Sequence, residues 1–338
     1  MTSTDVVVLA GGTGGAKLAR GMCDAIDPER LVVIANTGDD IEIYGAHVSP
    51  DPDLVSFWLA DEIDERGWGL RDDTFAVMDA LRELGRDVWF SLGDRDLAWC
   101  LERARLLAGD DDERERPGAD EGLGAEQGSN AGQASGAGDG PSPLTPTAAL
   151  ARLNATIGVR ARVLPMSDDP VRTWVRTTAG WRSFQEYMIR QRAEGFVEGL
   201  EFRGAEQARA SEQALAAIAQ ARAIVIGPSN PLASIAPILA VPGIHEALAA
   251  AAAPVVAVSP VVGGEILKGP TASFMAFAAL ECSADGVADF YGELLDGIVA
   301  DENVARLPTL QIDTRMDDAP SRARVARETL GFVEALAG

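Results

Sequence analysis

Lysine is nearly missing from this chain. Only Lys17 and Lys268 occur, so 27 of the 29 basic residues are arginine, set against 52 acidic residues for a formal net charge of −23. So acidic a balance argues against binding nucleic acid through a basic face. The lack of lysine reads either as GC-rich coding bias or as adaptation to high salt. Cysteine is scarce as well: Cys23, Cys100 and Cys282 are far apart and odd in number. That excludes a zinc spacing or a disulfide framework and makes a reducing cytoplasm the expected location. The two histidines, His47 and His245, do not make a metal site, and no Ser-His-Asp arrangement can be argued. The most apolar stretch, residues 247–262, is broken by Pro254 and Pro260 and is too short to span a bilayer. Residues 1–5 lack a basic n-region, so no usual signal peptide is expected.

What is present describes a soluble α/β protein. The 338 residues are 47% hydrophobic, enough for a large core and one doubly wound domain with insertions. Apolar runs at 5–9, 30–35, 223–227 and 255–258 read as buried parallel strands, with strand-like segments also at 88–92 and 160–165. Helical spacing appears at 17–26, 54–65, 75–84, 97–107, 146–153 and 211–221. Residues 172–187 alternate about Ala179-Gly180 as a hairpin, which places a small hairpin-containing subdomain at about 160–205. From 109 to 143 the composition is dominated by Gly, Ala, Asp, Glu, Ser, Gln and Pro, with no aromatic residue. Such a stretch lacks the apolar surface to order itself and is expected to be a disordered insertion. The domain is therefore 1–108 joined to 144–338, a Rossmann-like, mainly parallel sheet.

Six motifs carry the chemistry. The loop Gly11-Gly12-Thr13-Gly14-Gly15 follows the first strand and opens a helix, where glycine lets backbone N–H groups approach an anion. It fails the Walker pattern, because Ala16 precedes Lys17 and Leu18 replaces the magnesium-binding Ser or Thr. It also fails the dinucleotide fingerprint, since the third glycine falls on Lys17. The loop is an anion cradle or a tight turn; Lys17 either reaches a phosphate or covers the helix. Four acidic signatures accompany it: Asn36-Thr37-Gly38-Asp39-Asp40, Ser49-Pro50-Asp51-Pro52-Asp53, Gly93-Asp94-Arg95-Asp96 and Ser167-Asp168-Asp169-Pro170. At least three of them are read as following a strand. Carboxylates at strand ends beside a phosphate-type loop suggest magnesium on a diphosphate, since magnesium takes one or two carboxylates plus substrate phosphate oxygens. Each pair also reads as a helix cap or Asx-turn. Arg95 is an ion-pair hub or a substrate clamp. Gly227-Pro228-Ser229-Asn230-Pro231 is a nucleotide-facing loop or a proline-stiffened helix start. Trp58, Trp68 and Trp181 are candidates to line a pocket for a flat ring, with core packing as the plain alternative.

In order along the chain, these motifs, with Asp73-Thr74-Phe75 and Val258-Ser259-Pro260 among them, resemble the 2-phospho-L-lactate transferase family (CofD/FbiA) of coenzyme F420 biosynthesis. The likeness covers nearly the whole chain apart from 109–143. It implies a magnesium-dependent transfer of a phosphorylated three-carbon acid from a guanosine diphosphate-linked donor to the ribityl hydroxyl of the deazaflavin FO, with GMP leaving. By that resemblance, Asp39, Asp40 and Asp51 would hold magnesium, and Asp40 and Asp51 are the candidate catalytic carboxylates. Asp51, Asp94 and Arg95 would hold FO. Gly11, Gly12, Thr13, Gly14, Lys17, Gly227, Ser229 and Asn230 would face the nucleotide and its phosphates. Lactyl, enolpyruvyl and glyceryl donors all remain open, because Gly15 and Ala16 stand where some members carry Thr-Pro. A homodimer in the cytoplasm is implied too. The competing readings are a non-catalytic nucleotide-sugar regulator of the YvcK-like group and an NAD-dependent dehydrogenase; the second rests on the glycine loop alone.

Overall fold

The computed structural model describes residues 6–110, 142–266 and 269–338. All but the ends of the expected insertion at 109–143, and the N-terminal five residues, lie outside these.

A β-α-β unit opens the chain: β1 (Val6–Ala10), α1 (Gly12–Ala25) and β2 (Leu31–Ala35). A short antiparallel pair, β3 (Ile41–Ile43) and β4 (Ala46–Val48), leads into α2 (Pro50–Leu59), α3 (Ala76–Glu83), α4 (Asp94–Ala108) and α5 (Pro146–Thr156). After β5 (Arg162–Pro165) come β6 (Arg172–Thr177), β7 (Gly180–Ser183) and β8 (Gly199–Arg203). The second half carries α6 (Glu212–Gln220), β9 (Ala223–Ile226), α7 (Ala236–Leu239), α8 (Ile244–Ala249) and β10 (Val255–Val258). A small pair, β11 (Val261–Val262) and β12 (Glu265–Ile266), precedes α9 (Thr271–Phe277) and α10 (Ala284–Tyr291). The chain closes with β13 (Gly297–Ala300), β14 (Thr309–Gln311) and α11 (Ala319–Ala337).

Seven strands form one parallel sheet in the order β14-β13-β10-β9-β1-β2-β5. Its central strands are continuous apolar runs because both faces are covered. Val7, Leu9, Val32 and Ile34 pack to one side with Ile218, Ile238 and Val287, while Val6, Val8, Leu31 and Val33 pack to the other with Leu18, Met22 and Val325. From β1 the chain steps outward to β2 and β5, then returns to β9 on the opposite side of β1. The order therefore reverses between β1 and β9, which is where a doubly wound sheet opens a crevice. A third cluster, away from the sheet, gathers Phe57, Met78, Phe90, Leu92, Trp99 and Cys100 from α2, α3, α4 and the segment between them.

Several expectations need correction. Residues 88–92 join no strand; Phe90 and Leu92 are instead buried in the third cluster, so the apolar pattern there records side-chain burial and not a ladder. The Gly93–Asp96 signature thus opens α4, with Gly93 as N-cap, rather than ending a strand. Helix α1 begins at Gly12 and α2 at Pro50, each four or five residues earlier than apolar spacing suggests. Glycine and proline at those starts carry no hydrophobic periodicity, although proline suits a first helical turn. The hairpin turns at Thr178 and Ala179, one residue before the expected Ala179-Gly180, with Gly180 (φ +92°) opening β7 opposite Thr177, and β8 adds a third antiparallel strand to it.

Candidate active site

Strand β2 delivers Asn36 to the crevice, and this amide organises the acidic groups there. Fully buried, Asn36 donates through Nδ2 to Asp39 Oδ1 at 3.2 Å and to Asp51 Oδ2 at 2.8 Å. Its own Oδ1 accepts from Gly38 N at 2.8 Å, which fixes the amide's orientation. Asp51 sits in the first turn of α2, where the helix N-terminus favours negative charge, and its Oδ1 accepts from Gly12 N at 2.6 Å. Asp39 and Asp51 are each only 5% exposed. Burial, reinforced by the Asp51 charge, holds the Asp39 carboxyl well above the usual range. Burial likewise pushes Asp51 up to about 6, against the pull of the Asn36 and Gly12 hydrogen bonds. Asp40 turns aside, accepting from Ser49 Oγ at 2.7 Å and lying 3.3 Å from His47 Nε2.

The glycine loop is needed first for packing. A Cβ on Gly14 would lie 2.0 Å from the Pro228 carbonyl oxygen, and one on Gly15 would lie 2.8 Å from Ser229 Oγ. Glycine there lets the loops after β1 and β9 touch, and Gly227 adds to the same close approach, since a Cβ on it would lie 3.0 Å from Gly15 Cα. Gly12 differs: it has φ +62° and open space where a side chain would stand. Thr13 and Lys17 are half-buried in the first turns of α1. Ser229 Oγ accepts from Gly11 N at 3.2 Å, and Asn230 Oδ1 caps the next helical turn by accepting from Leu232 N and Ala233 N. Gly11, Gly12, Gly14, Gly227, Ser229 and Asp51 are thus brought together, while the Asn230 oxygen is engaged in a helix cap.

Beside this cluster lies a cavity of about 240 Å³. Phe57, Trp68, Leu70, Phe75, Phe90 and Leu92 form its apolar walls, and Asp51, Asp53, Asp73 and Asp96 supply carboxylates. Trp68 is half exposed at the rim, with the Arg66 guanidinium 4.3 Å from its ring centroid. Trp58 is instead buried in the core and Trp181 lies in the three-stranded sheet, stacked by Arg176 and Arg203. Asp53 forms a buried ion pair with Arg103, and Trp99 Nε1 donates to it at 2.8 Å.

Asp94 and Arg95, expected on the acceptor, are not brought to the cavity wall. Asp94 caps α3, accepting from Thr74 Oγ1 at 2.5 Å, Ala76 N at 3.0 Å and Val77 N at 2.9 Å. Asp73 returns the cap to α4 by accepting from Arg95 N and Asp96 N. The Arg95 guanidinium reaches outward to the Arg71 carbonyl and Glu62, so the ion-pair alternative describes it. Asp168 accepts from Thr147 N at 2.7 Å, at the start of α5, and Asp169 from Arg209 N at 2.9 Å. They border a second cavity of about 140 Å³ with Asp40 and His47. The helix-cap reading therefore holds for Asp94 and Asp168.

The donors available suit a small hard cation. Asp39 and Asp51 are oxygen ligands whose like charges are crowded out of water, and the Asn36 and Gly12 donors that meet them are uncharged. Magnesium favours such a set, completing its shell with water and phosphate oxygens. Asp53, Asp96 and Cys100 also bring donor atoms within 4.8 Å of one another. There Asp53 is already paired with Arg103, and burial holds the Cys100 thiol protonated, so that group does not suit a metal. Sequence reasoning assigned no role to Asn36, Asp53, Asp73 or Asp96. All four stand in the motifs quoted above, but Asp53–Arg103 spans 50 residues and leaves no local signal.

A model of the family described as 2-phospho-L-lactate transferase CofD matches residues 6–329. Over 298 residues the chain is 35% identical to a protein named 2-phospho-L-lactate transferase from Methanosarcina mazei, covering 88% of this chain and 87% of that protein. It is 39% identical over 350 residues to a protein named phosphoenolpyruvate transferase from Kitasatospora aureofaciens, covering 97% and 98%. A crystal structure of a UPF0052 family member from Bacillus halodurans shares the fold, with a TM-score of 0.52 at 16% identity over 93% of this chain and 89% of that one. The names of the sequence relatives are those of transferases, which does not favour the regulator reading.

Proposed function

The chain belongs to the 2-phospho-L-lactate transferase CofD family, a transferase family of coenzyme F420 biosynthesis, and on that premise we propose a specific reaction for it. It moves a phosphorylated three-carbon acid (2-phospholactyl, phosphoenolpyruvyl or phosphoglyceryl) from a guanosine diphosphate-linked donor to the ribityl hydroxyl of FO, releasing GMP. The observation that carries this reading is the juxtaposition at the β1/β9 switch point. Two buried carboxylates, Asp39 and Asp51, share the Asn36 amide, and Asp51 also meets the Gly12 turn and faces a cavity walled by Phe57, Trp68, Phe75 and Phe90. A diphosphate suits the first half of that arrangement and a flat tricyclic ring the second.

In this reading Asp39 and Asp51 hold magnesium, with Asp40 adding negative charge behind them. When bound, the cation supplies neutralisation of the diphosphate and of the charge that builds on the departing phosphate. The chain's own contribution is positioning. Asn36 sets the spacing of the two carboxylates, and Asp51 ties α2 to the glycine turn, so the acceptor cavity and the phosphate crevice keep a fixed relation. Apolar walls exclude water that would otherwise compete as the nucleophile. The same proposal includes a cytoplasmic homodimer acting on small molecules and not on nucleic acid. Mixing the protein with FO, magnesium and each guanylylated acid in turn tests it: at least one donor should release GMP in step with a new FO adduct. No release with any donor contradicts the reading.

A further inference from the structure

Four carboxylates line the 240 Å³ cavity, and three of them are firmly held. Asp51 accepts from Gly12 N and Asn36 Nδ2. Asp53 accepts from Arg103 and Trp99. Asp73 accepts the backbone N–H groups of Thr74, Arg95 and Asp96 at 2.9, 2.8 and 3.1 Å. Asp96 is different. Among the described residues its carboxylate meets only the Cys100 thiol, at 3.8 Å, which is a weak donor. It stands part-buried in the first turn of α4, so its backbone is fixed by the Asp73 cap while its oxygens keep their lone pairs for something in the cavity.

We propose that Asp96 is the proton acceptor for the acceptor's hydroxyl group, an inference that rests on the transferase reading above. The hydroxyl oxygen attacks the donor's distal phosphorus and a new P–O bond forms. The P–O bond that bridges the two phosphorus atoms breaks, and its electron pair leaves with GMP. The hydroxyl proton passes to an Asp96 carboxylate oxygen and from there to water. The surroundings suit this task. Burial, then the Asp53 and Asp73 charges, push the Asp96 carboxyl up to about 7, while Arg103 and the Cys100 hydrogen bond pull it down. Asp51 on α2 and Arg66 at the rim are the other charged groups on the cavity wall. A carboxylate raised toward neutrality is a stronger base that is still substantially ionised at working pH.

The test uses full-length Asp96→Asn and Asp96→Glu proteins with FO, magnesium and whichever donor the wild type accepts. Asp96→Asn is expected to lower kcat by roughly 10²–10⁴-fold, with KM for FO and Mn²⁺ affinity, read by electron paramagnetic resonance, unchanged. The acid limb of the wild-type pH profile, expected near neutrality, should vanish in Asp96→Asn and return, displaced, in Asp96→Glu. Wild-type kcat overturns the proposal, as does a fall in Mn²⁺ affinity that would make Asp96 a metal ligand. Should Asp96→Asn fail to fold by circular dichroism, a wild-type kcat that is flat between pH 5 and 8 overturns it. An active wild type with an equally active variant removes only Asp96; a wild type that releases no GMP removes the underlying reading as well.

Discussion

Asp51 concentrates the chemistry of the site in one side chain, because it faces the cavity, caps the Gly12 turn and shares Asn36 with Asp39. Its raised carboxyl value has a stability consequence with a definite sign. The folded value of about 6 lies above the ordinary value of 3.8, so without metal the folded state binds this proton more tightly than the unfolded chain does. The stabilisation is present in full below about pH 4 and is lost as pH rises through about 6, up to about 3 kcal/mol. Asp51→Asn removes the penalty. In chelator, the variant is expected to be more stable than wild type at pH 8, and the two to converge near pH 4, in denaturant melts. A wild type that is more stable at pH 8 contradicts this account of the buried pair.

Two helix starts set the geometry, and their glycines and aspartates do different jobs. Gly12→Ala introduces a left-handed alanine into open space and is expected to cost about 1–2 kcal/mol of stability. Gly14→Ala drives a methyl group into the Pro228 carbonyl and should cost more, because backbone must move; melting temperatures in that order check the distinction. Asp94→Ala should cost about 0.5–2 kcal/mol through the lost α3 cap while leaving FO affinity unchanged in a fluorescence titration. A large loss of FO affinity would restore Asp94 to the acceptor site. The same elements show what was legible in the sequence. Buried strands such as Val6–Ala10 and Val255–Val258 stand out as unbroken apolar runs, and the order of the motifs carries the family. Strand Gly297–Ala300 is too short, and too like its surroundings, to be seen. The cavity walls join residues 57, 68, 75 and 90 from separate elements, and no local pattern announces that meeting. Asp94 and Arg95 read as chemistry because a cap and an ion pair use the same residue types as a binding site.

Over the whole molecule, the reversal of strand order between β1 and β9 is what brings distant motifs into one crevice. The glycine turn, the Asn36–Asp39 loop, the first turn of α2 and the Gly227–Asn230 loop all lie at the carboxyl ends of β1, β2 and β9. With a net charge of −23, the molecule repels polyanions in general, so the proposed reaction needs a cation between Asp39 and Asp51 to neutralise a charged diphosphate locally. A crystal soaked with FO, guanosine diphosphate and Mn²⁺ addresses this most directly. The anomalous peak is expected between Asp39, Asp51 and the diphosphate, with the deazaflavin ring against Trp68, Phe75 and Phe90. A metal peak away from Asp39, Asp40 and Asp51, or a ring bound outside that cavity, contradicts the account.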